Sequence, residues 1–108
     1  MNIIVSILVD ELDRSRRMLQ NIEKQLNVLH PHSTFIRTVN DKNYLYEVYR
    51  FNGKVTTKYL RTVETSEIEE INDKRKLRLD LKKQVTLLHR EIHELSKTIE
   101  RYERKSKK

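Results

Sequence analysis

His89 and His93, in the run His89-Arg90-Glu91-Ile92-His93, are the first residues whose types and spacing could do chemistry. Four apart on a helix, they share one face, as metal-binding pairs do. A zinc protease needs glutamate directly after the first histidine, and Arg90 stands there instead. His30 and His32 would complete a four-histidine set, but antiparallel helices keep them about 35 Å away at about 1.5 Å of rise per residue. The four are read as polar surface histidines, and no metal or cofactor is expected. There is no Ser/His/Asp signature, no glycine-rich phosphate loop and no pair of carboxylates in a pocket-forming context. A long helical hairpin also offers no water-excluding cleft. The chain is therefore expected not to be an enzyme.

A second constellation suits binding. Phe35–Val39, Tyr44–Arg50 and Val55–Thr62 are rich in β-branched and aromatic residues, the composition of strands. Asn52-Gly53 is a strong two-residue hairpin signal, since a type I′ turn needs positive φ at both positions. Asn40–Asn43 supplies the first turn. With Asn52-Gly53 as loop, Phe51 faces Lys54, Glu47 faces Lys58, Tyr46 faces Tyr59 and Leu45 faces Leu60. Opposite charges, paired rings and paired leucines favour this register, and a one-residue slip loses all three. It collects Arg37, Tyr44, Tyr46, Arg50, Tyr59 and Arg61 on one face, with Lys54 and Lys58 at the hairpin tip and flank. Rings stack on bases and guanidinium groups pair with phosphates. The plainer alternative is that the rings cover the helices while the arginines reach outward.

The flanking segments must position that meander. Val5, Leu8, Leu12, Ser15, Leu19, Ile22, Leu26 and Leu29 recur in steps of three and four, the coiled-coil spacing. Pro31 closes the element by disfavouring the α region at His30. A second helix starts with a capping box, Ser66 with Glu69, and carries the stripe Leu81, Val85, Leu88, Ile92, Leu95, Ile99 and Tyr102. Between Ile71 and Leu81 the pattern falters. Lys74 and Arg78 take apolar positions while Leu77 and Leu79 fall off register, which marks a stutter or the place where the helix meets the sheet.

The expected fold is α+β and a single domain: a long antiparallel helical hairpin, or coiled coil, with a three-stranded antiparallel β-meander inserted between its helices. Its parts are helix 3–29, meander 34–63, helix 66–104 and basic tail 105–108. By helix rise the second helix (about 57 Å) outruns the first (about 40 Å). The stripe is therefore expected to run on uncovered through Leu95, Ile99 and Tyr102, and Leu88, Ile92, Leu95, Ile99 and Tyr102 to form a homodimer interface.

Of 108 residues 36% are charged, with one glycine, one proline and no cysteine. So few breakers favour long elements, and the lack of thiols fits a cytoplasmic protein. The apolar run Met1–Val9 is too short to span a bilayer, lacks a basic leader and is followed at once by Asp10, Glu11 and Asp13, so no membrane role is expected. The net charge of +7 is spread along the chain: ten basic and six acidic residues to Val63, thirteen and ten beyond it. Such a charge favours polyanions. Lys74, Arg75, Lys76 and Arg78, with Lys82 and Lys83, form the densest basic stretch, which could extend the arginine–tyrosine face.

Residues 35–60, Phe-Ile-Arg-Thr-Val followed by Tyr-Leu-Tyr-Glu-Val-Tyr-Arg-Phe-Asn-Gly-Lys-Val and Lys-Tyr-Leu, resemble the short β-meander at the start of many insertion-sequence transposases. They are also similar to a meander in small uncharacterised phage and mobile-element proteins that couple it to a coiled coil. The resemblance covers under a third of the chain, and here a helix follows where transposases have an acidic catalytic domain. It implies a phage or mobile-element origin and contact with DNA or RNA, without catalysis. The leading expectation is a small nucleic-acid-associated protein with the meander as recognition element and the helices as dimerisation scaffold. The alternative is an inhibitor or adaptor, such as a phage anti-host or anti-CRISPR protein, that docks on a host protein without binding free nucleic acid. No small-molecule substrate is expected.

Overall fold

The structure, a computed structural model, describes residues 2–29 and 32–106. The expected closure at His30-Pro31, the place of His30 in a histidine set and the last two residues of the basic tail lie outside the described residues. Helix α1 spans Ile3–Val28, followed by strands β1 (Ser33–Val39), β2 (Lys42–Phe51) and β3 (Lys54–Val63). A 3₁₀ turn at Thr65–Glu67 leads into helix α2, Ile68–Ser106. The α+β class and the helix–sheet–helix order are those expected from the sequence. The chain forms two compact units: residues 1–25 with 82–108, and residues 26–81.

The first unit is a helix pair. Asn2 starts α1 by accepting the Ile4 N–H on its side-chain oxygen at 2.9 Å, as an N-cap does. Val5 and Leu12 form a buried cluster with Ile99, and Leu8, Val9, Ile92, Leu95 and Tyr102 pack against it. Residues near the start of α1 thus meet residues near the end of α2, so the helices run antiparallel. Ser15 is 3% exposed, so the one non-apolar member of the stripe is a seam position occupied by a small side chain.

This packing corrects the expected overshoot. Ile99 is 8% exposed and Leu88 6%, so the stripe of Leu88, Ile92, Leu95, Ile99 and Tyr102 belongs to the chain's own core. The rise arithmetic started both helices at the same bend. The opening turns of α2, through Leu81, instead belong to the sheet unit. That leaves residues 82–106 of α2 for residues 3–25 of α1, two runs of similar length.

The second unit is the meander with the helix segments nearest it. The strand order is β1-β2-β3, antiparallel throughout. Both turns have two residues at positive φ: Asn40 (51°) and Asp41 (63°), then Asn52 (51°) and Gly53 (77°). These are the type I′ requirements, met by residue types that tolerate left-handed backbone. Phe51–Lys54, Glu47–Lys58 and Tyr46–Tyr59 pair as expected, but Leu45 stands opposite Arg61, not Leu60. Leu60 is the extra residue of a β-bulge, which shifts the alternation of everything after it in β3.

The helix start also differs. The capping box is Glu64 with Glu67, two residues before the expected Ser66 and Glu69. The Glu64 N–H donates to Glu67 Oε2 at 2.9 Å, so a 3₁₀ turn precedes the α-helix.

Leu12→Ala is expected to destabilise the protein by about 2–5 kcal/mol, whereas Leu87→Ala, exposed on α2, should stay within about 0.5 kcal/mol. Urea unfolding followed by circular dichroism compares the two.

Candidate functional site

The faces of the sheet are settled by β2, its central strand. Asn43, Leu45 and Glu47 are buried, while the alternating Tyr44, Tyr46 and Val48 are only partly covered. Leu45 shares a cavity lining with Thr34 and Leu60 of the sheet, Leu29 after α1 and Ile71 of α2. The helix segments of this unit therefore cover the Leu45 side. Within that covered side, Thr38 Oγ1 donates to Asn43 Oδ1 at 2.6 Å, tying β1 to β2 beside the first turn. Burying such polar groups is tolerable only when they are bonded in this way.

The other face carries the rings. Phe35 stacks on Tyr46 with centroids 5.2 Å apart and planes 10° apart. Tyr59 meets Tyr46 edge-on at 5.8 Å and Tyr44 at 6.1 Å. The four rings thus make one ladder across all three strands, holding each other in the offset and edge-to-face geometries aromatic pairs prefer. Tyr59 is 49% exposed and Val55, on the same side of β3, 66%, while Phe35, Tyr44 and Tyr46 are half-buried.

Arg37 lies opposite Tyr44 on β1, and Arg50 lies opposite Val55 near the hairpin tip. Tyr44 and Arg50 lie six positions apart along β2, about 20 Å at about 3.3 Å per residue. Both arginines are exposed, so cationic groups flank the ring ladder towards its two ends.

Of the eight residues expected to form the site, Arg37, Tyr44, Tyr46, Arg50 and Tyr59 share this open face. Lys54, Lys58 and Arg61 do not. Strand alternation puts Lys54 and Lys58 on the side of Glu47, and Lys58 stands directly opposite Glu47. The bulge places Arg61 beside Leu45 and Leu60. There its guanidinium reaches both Glu67 carboxylate oxygens at 3.4 Å and the Thr62 carbonyl at 3.2 Å. Arg61 is a buttress of the turn before α2.

The basic run of α2 is likewise displaced from the expected patch. Lys74, Arg75 and Arg78 line the cavity on the Leu45 side, across the sheet from Arg37 and Arg50. Lys82 and Lys83 belong to the other compact unit. His89 and His93 are exposed, and the described residues contain no group of three or more histidine, aspartate or glutamate side chains able to hold a metal ion. Among the described residues no helix is long and apolar enough to cross a membrane.

Sequence reasoning puts Phe35 on the ring face by strand alternation but leaves it out of the expected site, although its pairing with Tyr46 follows from the β1–β2 register. It also missed the cavity residues Lys74 and Arg78, whose signal was their occupation of apolar heptad positions. No protein-family model matches the chain, and no curated protein or solved structure does so either.

The Glu67 carboxyl is held below the ordinary carboxylate range, first by the Glu64 N–H and then by Arg61. A carboxylate with a lowered folded pKa adds stability above its unfolded pKa and loses it as the pH falls through the folded value. Arg61→Met should raise the Glu67 midpoint part of the way towards normal, since the backbone bond remains. Carboxyl ¹³C NMR titration reads this directly, and Glu67→Gln should flatten the acid limb of the stability profile.

Proposed function

We propose that this chain is a non-enzymatic nucleic-acid-associated protein that takes single-stranded DNA or RNA on the open face of its meander. The observation that carries the reading is the packing of the sheet by its Leu45 side. It leaves Phe35, Tyr44, Tyr46 and Tyr59 as a ring ladder on the opposite face, half-buried at the first three and exposed at Tyr59, flanked by Arg37 and Arg50. Bases in a duplex keep their faces stacked on one another, whereas a single strand can lay them on protein rings. Tyr59, the most exposed of these tyrosines, is the first platform in this reading. Net charge of +7 supports attraction to a polyanion. The resemblance of residues 35–60 to transposase and phage meanders supports a mobile-element or phage role in the cytoplasm. In this reading a homodimer uses the exposed Ile3, Ile4 and Ile7 of α1, since the α2 stripe is occupied.

A second reading, an adaptor or inhibitor that docks on a host protein, has one observation in its favour. Phe51 and Val55 expose 63% and 66% of their surface at the hairpin tip. Nuclease-resistant capture of one host protein, lost in Phe51→Ser with Val55→Ser, would favour it over the first.

Fluorescence anisotropy with labelled single-stranded and duplex oligonucleotides over a salt series tests the leading reading. Single strands should bind more tightly than duplexes. Arg37→Ala with Arg50→Ala should lower the salt slope by about 1.4, at about 0.7 per phosphate contact. Tyr59→Ala should weaken binding by about 1–3 kcal/mol. Absence of binding at low salt, or binding indifferent to all three substitutions, would overturn it.

A further inference from the structure

The covered side of the sheet holds a cavity that the ring ladder has no part in. Its volume is about 310 Å³, at the lower end of the range for small-molecule sites, about 300–1,000 Å³. The apolar part is aliphatic: Leu29, Leu45, Leu60 and Ile71. Around it stand Arg61, Lys74, Arg75 and Arg78, and no carboxylate is among its described lining residues.

Lys74 and Arg78 occupy α2 positions that the helical repeat reserves for apolar residues. Arg78 is 9% exposed and already interacts within the protein. Lys74 pairs with Glu70 at 3.1 Å and Arg61 with Glu67 at 3.4 Å, both across exposed surface. Exposed pairs of this kind contribute little to stability. Arg75 adds a further exposed cation. With Arg78 engaged within the protein, Lys74 and Arg61 have the two exposed carboxylates as partners, and Arg75 adds positive charge beside an aliphatic floor.

From this the geometry points to a binding site for a small amphipathic anion, with its apolar body on Leu45, Leu60 and Ile71 and its phosphate or carboxylate head among Lys74, Arg75 and Arg61. A guanidinium rim suits such heads because its donors match their planar or tetrahedral oxygens. The site lies across the sheet from the proposed nucleic-acid face and stands independently of it.

Methyl NMR titration of the full chain with four probes tests the site. Octanoate and adenosine 5′-monophosphate each join an anionic head to a body, an alkyl chain in one and a nucleoside in the other, while inorganic phosphate is a head alone and adenosine a body alone. At least one of the first two should shift the Leu45, Leu60 and Ile71 methyls saturably at submillimolar concentration, and which one does so identifies the body. Phosphate and adenosine should not. Arg75→Glu should weaken the bound probe about tenfold or more, and Arg75→Gln should do so to a lesser degree. Tyr59→Ala with Arg50→Ala should leave binding unchanged. The inference is overturned if no probe moves these methyls, if phosphate or adenosine alone matches the amphipathic probes, or if binding survives Arg75→Glu.

Discussion

A three-stranded sheet has two faces, and in this unit apolar partners are supplied to only one. Leu45, at the centre of β2, is 8% exposed and shares its surroundings with Leu29 and Ile71 from the helix segments. Burying a leucine of this kind is worth about 1.5–3 kcal/mol, and a small meander has few such residues to spend. Once that side is taken, the rings opposite can find cover only in one another. They do so: Phe35 on Tyr46, and Tyr59 against Tyr46 and Tyr44. An aromatic surface that is ordered yet partly exposed follows from the choice of the Leu45 side.

The bulge at Leu60 divides the charges between the two faces. Without the extra residue, Arg61 would project beside Tyr59 and α2 would lose the guanidinium that braces Glu67. With it, Arg37 and Arg50 remain with the rings, while Arg61 joins Lys74, Arg75 and Arg78 on the covered side. Bulges re-aim side chains and increase local twist. In this chain one inserted residue separates what looked like a single basic surface into two of different chemistry.

Much of the architecture was legible because its signals were local. The α1 stripe from Val5 to Leu29 is buried or half-buried at every expected position, since heptad spacing alone determines a helical seam. Asn52-Gly53 specified its turn for a similar reason. The bulge was not legible: strand pairing alone favours Leu45 opposite Leu60, whereas the observed register sets Arg61 against Glu67, which lies outside the strands. Comparing helix lengths misled because it ignored the turns of α2 that the sheet occupies. Of the site, the tyrosines and two arginines were legible from alternation. Which face stayed open depended on tertiary packing that no strand pattern encodes.

The account rests on the open face being the surface that meets nucleic acid. Chemical-shift mapping with an unlabelled single-stranded oligothymidine tests this most directly, because both faces report in one spectrum. The expected result is perturbation of the Tyr44, Tyr46 and Tyr59 ring resonances and of the Arg37 and Arg50 side chains, with the Leu45 and Leu60 methyls unmoved. Perturbation confined to the Leu45 side or to the basic residues of α2, with silent tyrosine rings, would contradict it.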